Sequence, residues 1–259
     1  MNIQQLQSLK ILVLGDSCYD KYHFGEITRL SPEAPVPVFD LVSTDERPGM
    51  ASNVVKNLDS LGAQTRFLTN SEVLTKERYV DIRSGQQLIR VDKGSTVAPL
   101  DESIFQETSL NEYDAVVISD YNKGFLSEHV VKFLLKTYKG PVFVDSKKKD
   151  LSHYEKCFIK INESEFDNLK AIPPNCELIV TLGPKGARYK DTTYPTKKVE
   201  VFDVCGAGDT FFAAFVCAYL IEKNIIKSIK FANKCASITV QKLGTYAPSL
   251  EEVKNDICI

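Results

Sequence analysis

Short apolar runs, each closed by a polar residue or glycine, recur along the chain. They are residues 10–14 before Gly15-Asp16, 115–118 before Ser119-Asp120, 141–144 before Asp145, 157–161 before Asn162 and 178–182 before Gly183. Runs this short and this rich in Val and Ile read as strands buried on both faces. Between them, residues 127–138 place Val130, Val131, Phe133, Leu134 and Leu135 at helical spacing. Strands alternating with helices predict βαβ units on a mostly parallel sheet, an α/β protein. Ligands of such sheets bind beyond the carboxyl ends of the strands. Asp16, Asp120, Asp145, Asn162 and Gly183 are all expected at such ends.

Two stretches break this rhythm. Residues 22–47 are rich in Pro and β-forming residues, and residues 76–92 alternate around Gly85, with expected hairpin arms at 78–83 and 87–91. Together they predict a small sheet outside the main one, either a lid or a dimer surface. An irregular surface extension is the alternative.

Composition narrows the function. With 34 acidic and 32 basic residues the formal charge is −2, so no basic field invites nucleic acid. Seven scattered cysteines, no Cys-x-x-Cys pair and three histidines argue against a disulfide framework or zinc site and suit a reducing compartment. The first ten residues are polar, and the longest apolar stretch, 211–221, is too short to span a bilayer. A single domain over 1–259 in the cytoplasm is expected, with no membrane partner.

The richest segment is Asp203-Val-Cys-Gly-Ala-Gly-Asp209-Thr210, followed by a small and apolar run. A Gly-Ala-Gly turn at a helix start offers unpaired N–H groups and the positive end of the helix dipole to an anion. Asp209, in the first turn, is placed to take a proton from an attacking hydroxyl. An ordinary glycine turn with a dipole-favoured acid is the other reading. Asp16 and Asp20 suit the hydroxyls of a polyol or a capping role. Pro48-Gly-Met-Ala-Ser-Asn53 opens an expected helix, with Gly49 and Asn53 turned to ligand or cap. Asn162-Glu-Ser-Glu165 follows a strand; Glu165 suits a magnesium ion held through water. Thr181-Leu-Gly-Pro-Lys-Gly186 suits nucleotide phosphates but is not a Walker A loop.

In order and spacing these motifs resemble the ribokinase-like (PfkB) carbohydrate kinase family. Residues 203–215 are similar to its C-terminal signature, and Gly49-Met-Ala-Ser-Asn53 to its sugar-side signature. Gly15-Asp-Ser-Cys-Tyr-Asp20, Arg29-Leu-Ser-Pro-Glu-Ala-Pro-Val-Pro-Val38 and Glu46-Arg-Pro-Gly49 further resemble the heptose 7-phosphate kinases. So do Gln86-Gln-Leu-Ile-Arg-Val-Asp92, Ser119-Asp-Tyr-Asn-Lys-Gly124 and Lys242-Leu-Gly-Thr245.

The resemblance implies a three-layer α/β/α sandwich with a β lid that mediates dimerisation. It implies magnesium-dependent transfer of the ATP γ-phosphate to a sugar hydroxyl, here O1 of heptose 7-phosphate. Asp209 is the implied base, with Gly206, Ala207 and Gly208 donating N–H groups to the phosphoryl group. Asn162 and Glu165 fall near magnesium and phosphates; Thr181, Gly183, Gly186 and Asn233 fall on the nucleotide side. Asp16, Asp20, Gly49 and Asn53 face the sugar, with Arg78 and Lys147 as further phosphate contacts. Met50 stands where these kinases usually carry a second Gly, which is expected to narrow the sugar pocket. Between Thr69 and Thr75 the family normally carries a further helix–strand–helix of roughly 30–40 residues, absent here. Another sugar or nucleoside as acceptor, or a non-catalytic binding relative, are the competing expectations.

Overall fold

All five apolar runs become neighbouring or near-neighbouring strands of one eight-stranded sheet. The computed structural model of the chain describes residues 3–255. It begins with α1 (Ile3–Ser8), β1 (Lys10–Gly15), β2 (Ser17–Leu30), β3 (Pro37–Met50), α2 (Ala51–Ser60) and β4 (Gln64–Leu68). β5 (Thr75–Asp81), β6 (Gln87–Lys93), α3 (Ile104–Glu107), β7 (Ala115–Asp120), α4 (Glu128–Thr137) and β8 (Val142–Ser146) follow. Then come β9 (Phe158–Asn162), α5 (Glu163–Asp167), β10 (Glu177–Thr181), β11 (Ala187–Tyr189) and β12 (Thr192–Tyr194). The chain closes with α6 (Ala207–Glu222), α7 (Ile225–Thr239) and α8 (Leu250–Asn255).

The main sheet runs β12-β11-β10-β9-β8-β7-β1-β4. Its pairs from β10 to β4 are parallel, and β11 and β12 add an antiparallel edge. Strand pleating sends alternate residues to opposite faces. Ile11 and Val13 of β1 join Ala115 and Val117 of β7 in a core beneath α1, α2, α6 and α7. Leu12, Leu14, Val116 and Ile118 point the other way, into a core with α4 and Phe105 of α3. The result is the three-layer sandwich.

Helix α6 is apolar all round because it is buried all round, against α7 and α2 as well as the sheet. By contrast α4 presents Val130, Val131 and Leu134 to the core, and its cap is Ser127, whose hydroxyl accepts the Val130 N–H.

β3-β2-β5-β6 form a separate four-stranded lid, with β2 and β5 parallel and the other pairs antiparallel. The lid is longer than its sequence suggests. The β2–β3 ladder starts at Ser17↔Met50, one residue beyond Asp16. Consequently Gly49 and Met50 end a strand instead of opening a helix, and α2 begins at Ala51. Met50 makes the corner with φ 58 and ψ −132, a region that favours glycine. Its side chain packs into the core with Leu12, Leu14 and Cys18. On this side the sheet ends at β4, and residues 69–74 lead directly into β5 of the lid.

Candidate active site

At the carboxyl ends of β8, β9 and β10 lies a cleft of about 790 Å³, with the start of α6 in its wall. Gly206 caps α6 in a left-handed conformation (φ 78), and a Cβ there would stand 2.9 Å from Asn53 Nδ2. Glycine is thus required twice over, for conformation and for space. Ala207 donates its N–H to Val204 O at 3.3 Å. Those of Gly208 and Asp209 fall in the first turn, where helix geometry supplies no carbonyl partner.

Asp209 faces the cleft and is nearly buried. Asn53 Nδ2 donates to its Oδ2 at 2.8 Å, and the Tyr121 hydroxyl donates to its Oδ1 at 3.0 Å. Burial pushes its proton affinity up, the Asn53 amide opposes this, and the Asp145 charge adds to the rise. The helix that delivers Asn53 is itself pinned to α6, because Thr210 Oγ1 donates to Asn57 Oδ1 at 2.8 Å.

Opposite the α6 turn sits a buried lysine. Lys160, in the middle of β9, places Nζ 2.6 Å from Asp145 Oδ2 and 3.1 Å from where a Cβ of Gly208 would begin. Asp145 is held below the usual carboxylate range: burial acts against its charge, but the Lys160 and Lys147 ammonium groups outweigh it. Its Oδ1 is buried, has no hydrogen-bond donor among the described residues and lies 3.6 Å from Lys147 Nζ. Lys147 also contacts the Glu165 carboxylate. Burial disfavours the Lys147 charge, yet Asp145 and Glu165 hold its proton more firmly than an ordinary lysine's.

Asn162 and Glu165 form a capping box at α5. The Glu165 N–H donates to Asn162 Oδ1 at 2.8 Å, and the Asn162 N–H donates to Glu165 Oε2 at 2.9 Å. Thr181, Gly183 and Gly186 line the same cleft. So does Asn233, whose amide donates to Tyr194 O at 2.9 Å and thereby ties α7 to β12. Val199, Val201 and Val240 give this part of the cleft an apolar side.

The remaining expected residues lie outside the cleft lining. Asp16 is fully buried, and its carboxylate accepts the N–H groups of Tyr121, Lys123 and Phe125 at 2.7, 3.3 and 3.2 Å. Asp20 pairs with Arg78 of the lid at 2.5 Å, and Gly49 lets the Asp20 carboxylate pack against the backbone of β3. Met50 does not border the cleft.

Sequence reasoning passed over Tyr121, Lys160 and, as a site residue, Asp145. Lys160 carried a signal: Phe158-Ile-Lys-Ile-Asn162 sets a lysine in the middle of a buried strand. Such a position is rarely tolerated without a charged partner.

A cleft at the strand ends with a glycine-led helix start in its wall, on a three-layer sandwich that carries a separate β lid, is the arrangement of the ribokinase-like fold. Ribokinase from Thermotoga maritima superposes with a TM-score of 0.68 at 19% identity, over 96% of this chain and 99% of that one. Arabidopsis thaliana ribokinase complexed with ribose and ATP gives 0.69 at 16% identity, over 97% and 99%. The profile of the pfkB family carbohydrate kinases matches residues 83–252. The chain belongs to that family. Bifunctional protein HldE of a Nitratiruptor species is 34% identical over 299 aligned positions, covering 95% of this chain. The chain spans 64% of the length of that curated relative.

Proposed function

We propose that this protein is a sugar kinase that moves the γ-phosphoryl group of ATP to O1 of a phosphorylated sugar, heptose 7-phosphate first among the candidates. The observation that carries the reading is the Asp209 carboxylate, held by two donors at the start of α6 and facing a cleft lined by the buried Lys160 and the half-buried Lys147. Similarity to HldE, over 95% of the chain, supports a heptose phosphate as acceptor.

Phosphoryl transfer asks mainly for positioning and for charge stabilisation. Asp209 takes the proton of the acceptor hydroxyl as its oxygen bonds to the γ-phosphorus and the bond to the ADP oxygen breaks. The N–H groups of Gly208 and Asp209, with the Lys160 ammonium, face the charge that gathers on the transferring group. Lys147 adds a second cation beside it. Thr181, Gly183, Gly186 and the apolar valines suit the nucleotide, and Asn233 braces that wall. Asp20, Gly49, Asn53 and Arg78 lie where lid strands β2, β3 and β5 meet α2, on the acceptor side; Asp16 supports that side through the 121–125 loop. The lid keeps water from the γ-phosphate.

The residues present fit magnesium. Asp145 Oδ1 is a buried oxygen without a donor, Glu165 is a second carboxylate nearby, and magnesium favours one or two carboxylates completed by water and phosphate. When bound, the ion neutralises phosphate charge.

The outer lid carries Leu30, Leu41, Val42 and Ile89, each more than half exposed. We read this face as a homodimer contact of a single cytoplasmic kinase domain, to be checked by light scattering of the Leu41→Glu, Val42→Glu double variant.

The test of the reaction is an acceptor panel of free and phosphorylated sugars and nucleosides with phosphorus NMR of the products. A heptose 1,7-bisphosphate product supports the full reading. Turnover only with another acceptor retains the kinase and discards the heptose.

A further inference from the structure

Tyr121 packs against the core shared with α4 and also stands where the lid, the cleft and the start of α6 meet. It follows β7 and ends no strand. Its backbone N–H donates to Asp16 Oδ2 at 2.7 Å, which ties it to the end of β1. Its hydroxyl donates to Asp209 Oδ1 at 3.0 Å. The ammonium of Lys76, on lid strand β5, stands 5.1 Å from its ring centroid, and that of Lys147 stands 5.3 Å away. One side chain thus touches the lid, the phosphate-side lysine and the carboxylate at the α6 start.

We propose that Tyr121 is a positioning residue for Asp209, orienting its carboxylate and keeping it ionised for the acceptor proton. The proposal rests on Asp209 being the base. A carboxylate with one donor can rotate about its Cβ–Cγ bond; with Asn53 on Oδ2 and Tyr121 on Oδ1 both oxygens are fixed. Each oxygen retains a second lone pair, so neither hydrogen bond blocks the incoming hydroxyl. The phenol favours the charged carboxylate because it can only donate to it while its own proton stays on, and burial beside Asp209 makes its proton very hard to remove. The other charged groups facing Asp209 are Asp145, which disfavours its charge, and Lys160 and Lys147, which favour it; the Cys18 thiol, pushed up to about 12 by burial, stays neutral. All of these stay in place when only the phenol oxygen is removed. The lid lysine on the ring makes the hydroxyl's aim depend on where the lid lies.

The experiment is Tyr121→Phe in the full chain, with kcat and KM measured from pH 5 to 9. Loss of one charge-assisted hydrogen bond is expected to lower kcat about tenfold and move its acid limb up by about one pH unit. KM for ATP is expected to stay within about threefold, since the phenol does not touch the nucleotide wall. An unchanged kcat with an unchanged acid limb overturns the proposal, as does a loss confined to KM. Thermal melting of the variant separates misfolding from misaiming: a cooperative melt within a few degrees of the parent, with the shifted limb, is the supporting result. Asp209→Asn run in parallel keeps the two ideas apart. If it retains turnover, the base assignment falls; if it is inactive while Tyr121→Phe behaves like the parent, only the positioning role falls.

Discussion

Lys160 and Asp145 form an ion pair with Nζ 2.6 Å from Oδ2, and both side chains are no more than 4% exposed. It lies in the cleft beside the glycine turn of α6. Removing one member of such a pair strands the other charge, whereas removing both leaves only a polar contact to lose.

Lys160→Met is therefore expected to cost about 3–5 kcal/mol, and the double variant with Asp145→Asn to recover most of that. Urea unfolding of the three proteins checks this. Transfer activity should stay low in the double variant, because the cation facing the phosphoryl group is gone. Recovery of activity together with stability would remove Lys160 from the phosphate site.

Asp209→Asn should lower kcat by about 10²–10⁴ while ATP still binds, measured by single-turnover assay and calorimetry. Its stability should respond to pH in the sense opposite to Asp145. The Asp209 carboxyl titrates higher in the fold than in the open chain, so its charge opposes folding at neutral pH, and that opposition fades as pH falls from the folded value and is gone below the open-chain one. The Asn variant should match or exceed the parent at pH 7 and converge with it in acid. Asp145 titrates lower in the fold, so its contribution is present at neutral pH and lost as pH falls through its folded value. Thermal melts from pH 3 to 7 read both slopes.

Gly206→Ala tests the turn itself. Its Cβ would stand 2.9 Å from Asn53 Nδ2 and would have to adopt φ 78. A stability loss of about 1–2 kcal/mol is expected from the left-handed backbone. Displacement of Asn53 from Asp209 should lower kcat further than that loss of fold explains, seen as a drop persisting at temperatures well below the melt.

Met50 offers an inverted ranking. At most buried sites alanine is the milder truncation, but at φ 58 and ψ −132 alanine keeps the strain that glycine sheds. Relief of ~1–3 kcal/mol of strain, less the ~0.5–1 kcal/mol of chain entropy that glycine costs, leaves Met50→Gly about 1 kcal/mol more stable than Met50→Ala. Both should fall below the parent, because the side chain is buried among Leu12, Leu14 and Cys18. Chemical denaturation ranks the three.

The strand pattern was legible because both faces of the sheet are buried, which leaves Val- and Ile-rich runs that few other structures produce. The Gly-Ala-Gly turn and Asp209 were legible because a helix start needs few residues to declare itself. The partners of that site were not. Asn53 is brought from 156 residues away and Tyr121 from 88, so neither spacing nor periodicity could join them to Asp209. Asp16 was placed correctly at a strand end, but only coordinates reveal that the following loop covers its carboxylate with three N–H groups. The narrowing expected of Met50 also depended on where its side chain turns, and that is into the core.

The lid joins the body through unusually little chain. Only Asp16 separates β1 from β2, nothing separates β3 from α2, and residues 69–74 alone link β4 to β5. A flap moored so tightly at three corners, with residues 94–103 as its fourth and longer connection, has little slack for sliding and bends at Asp16 and at the Met50 corner. Those two joints are the same ones that seat the 121–125 loop and launch the helix bearing Asn53. Bending the flap at those joints therefore pulls on the same elements that hold Asp209 in place.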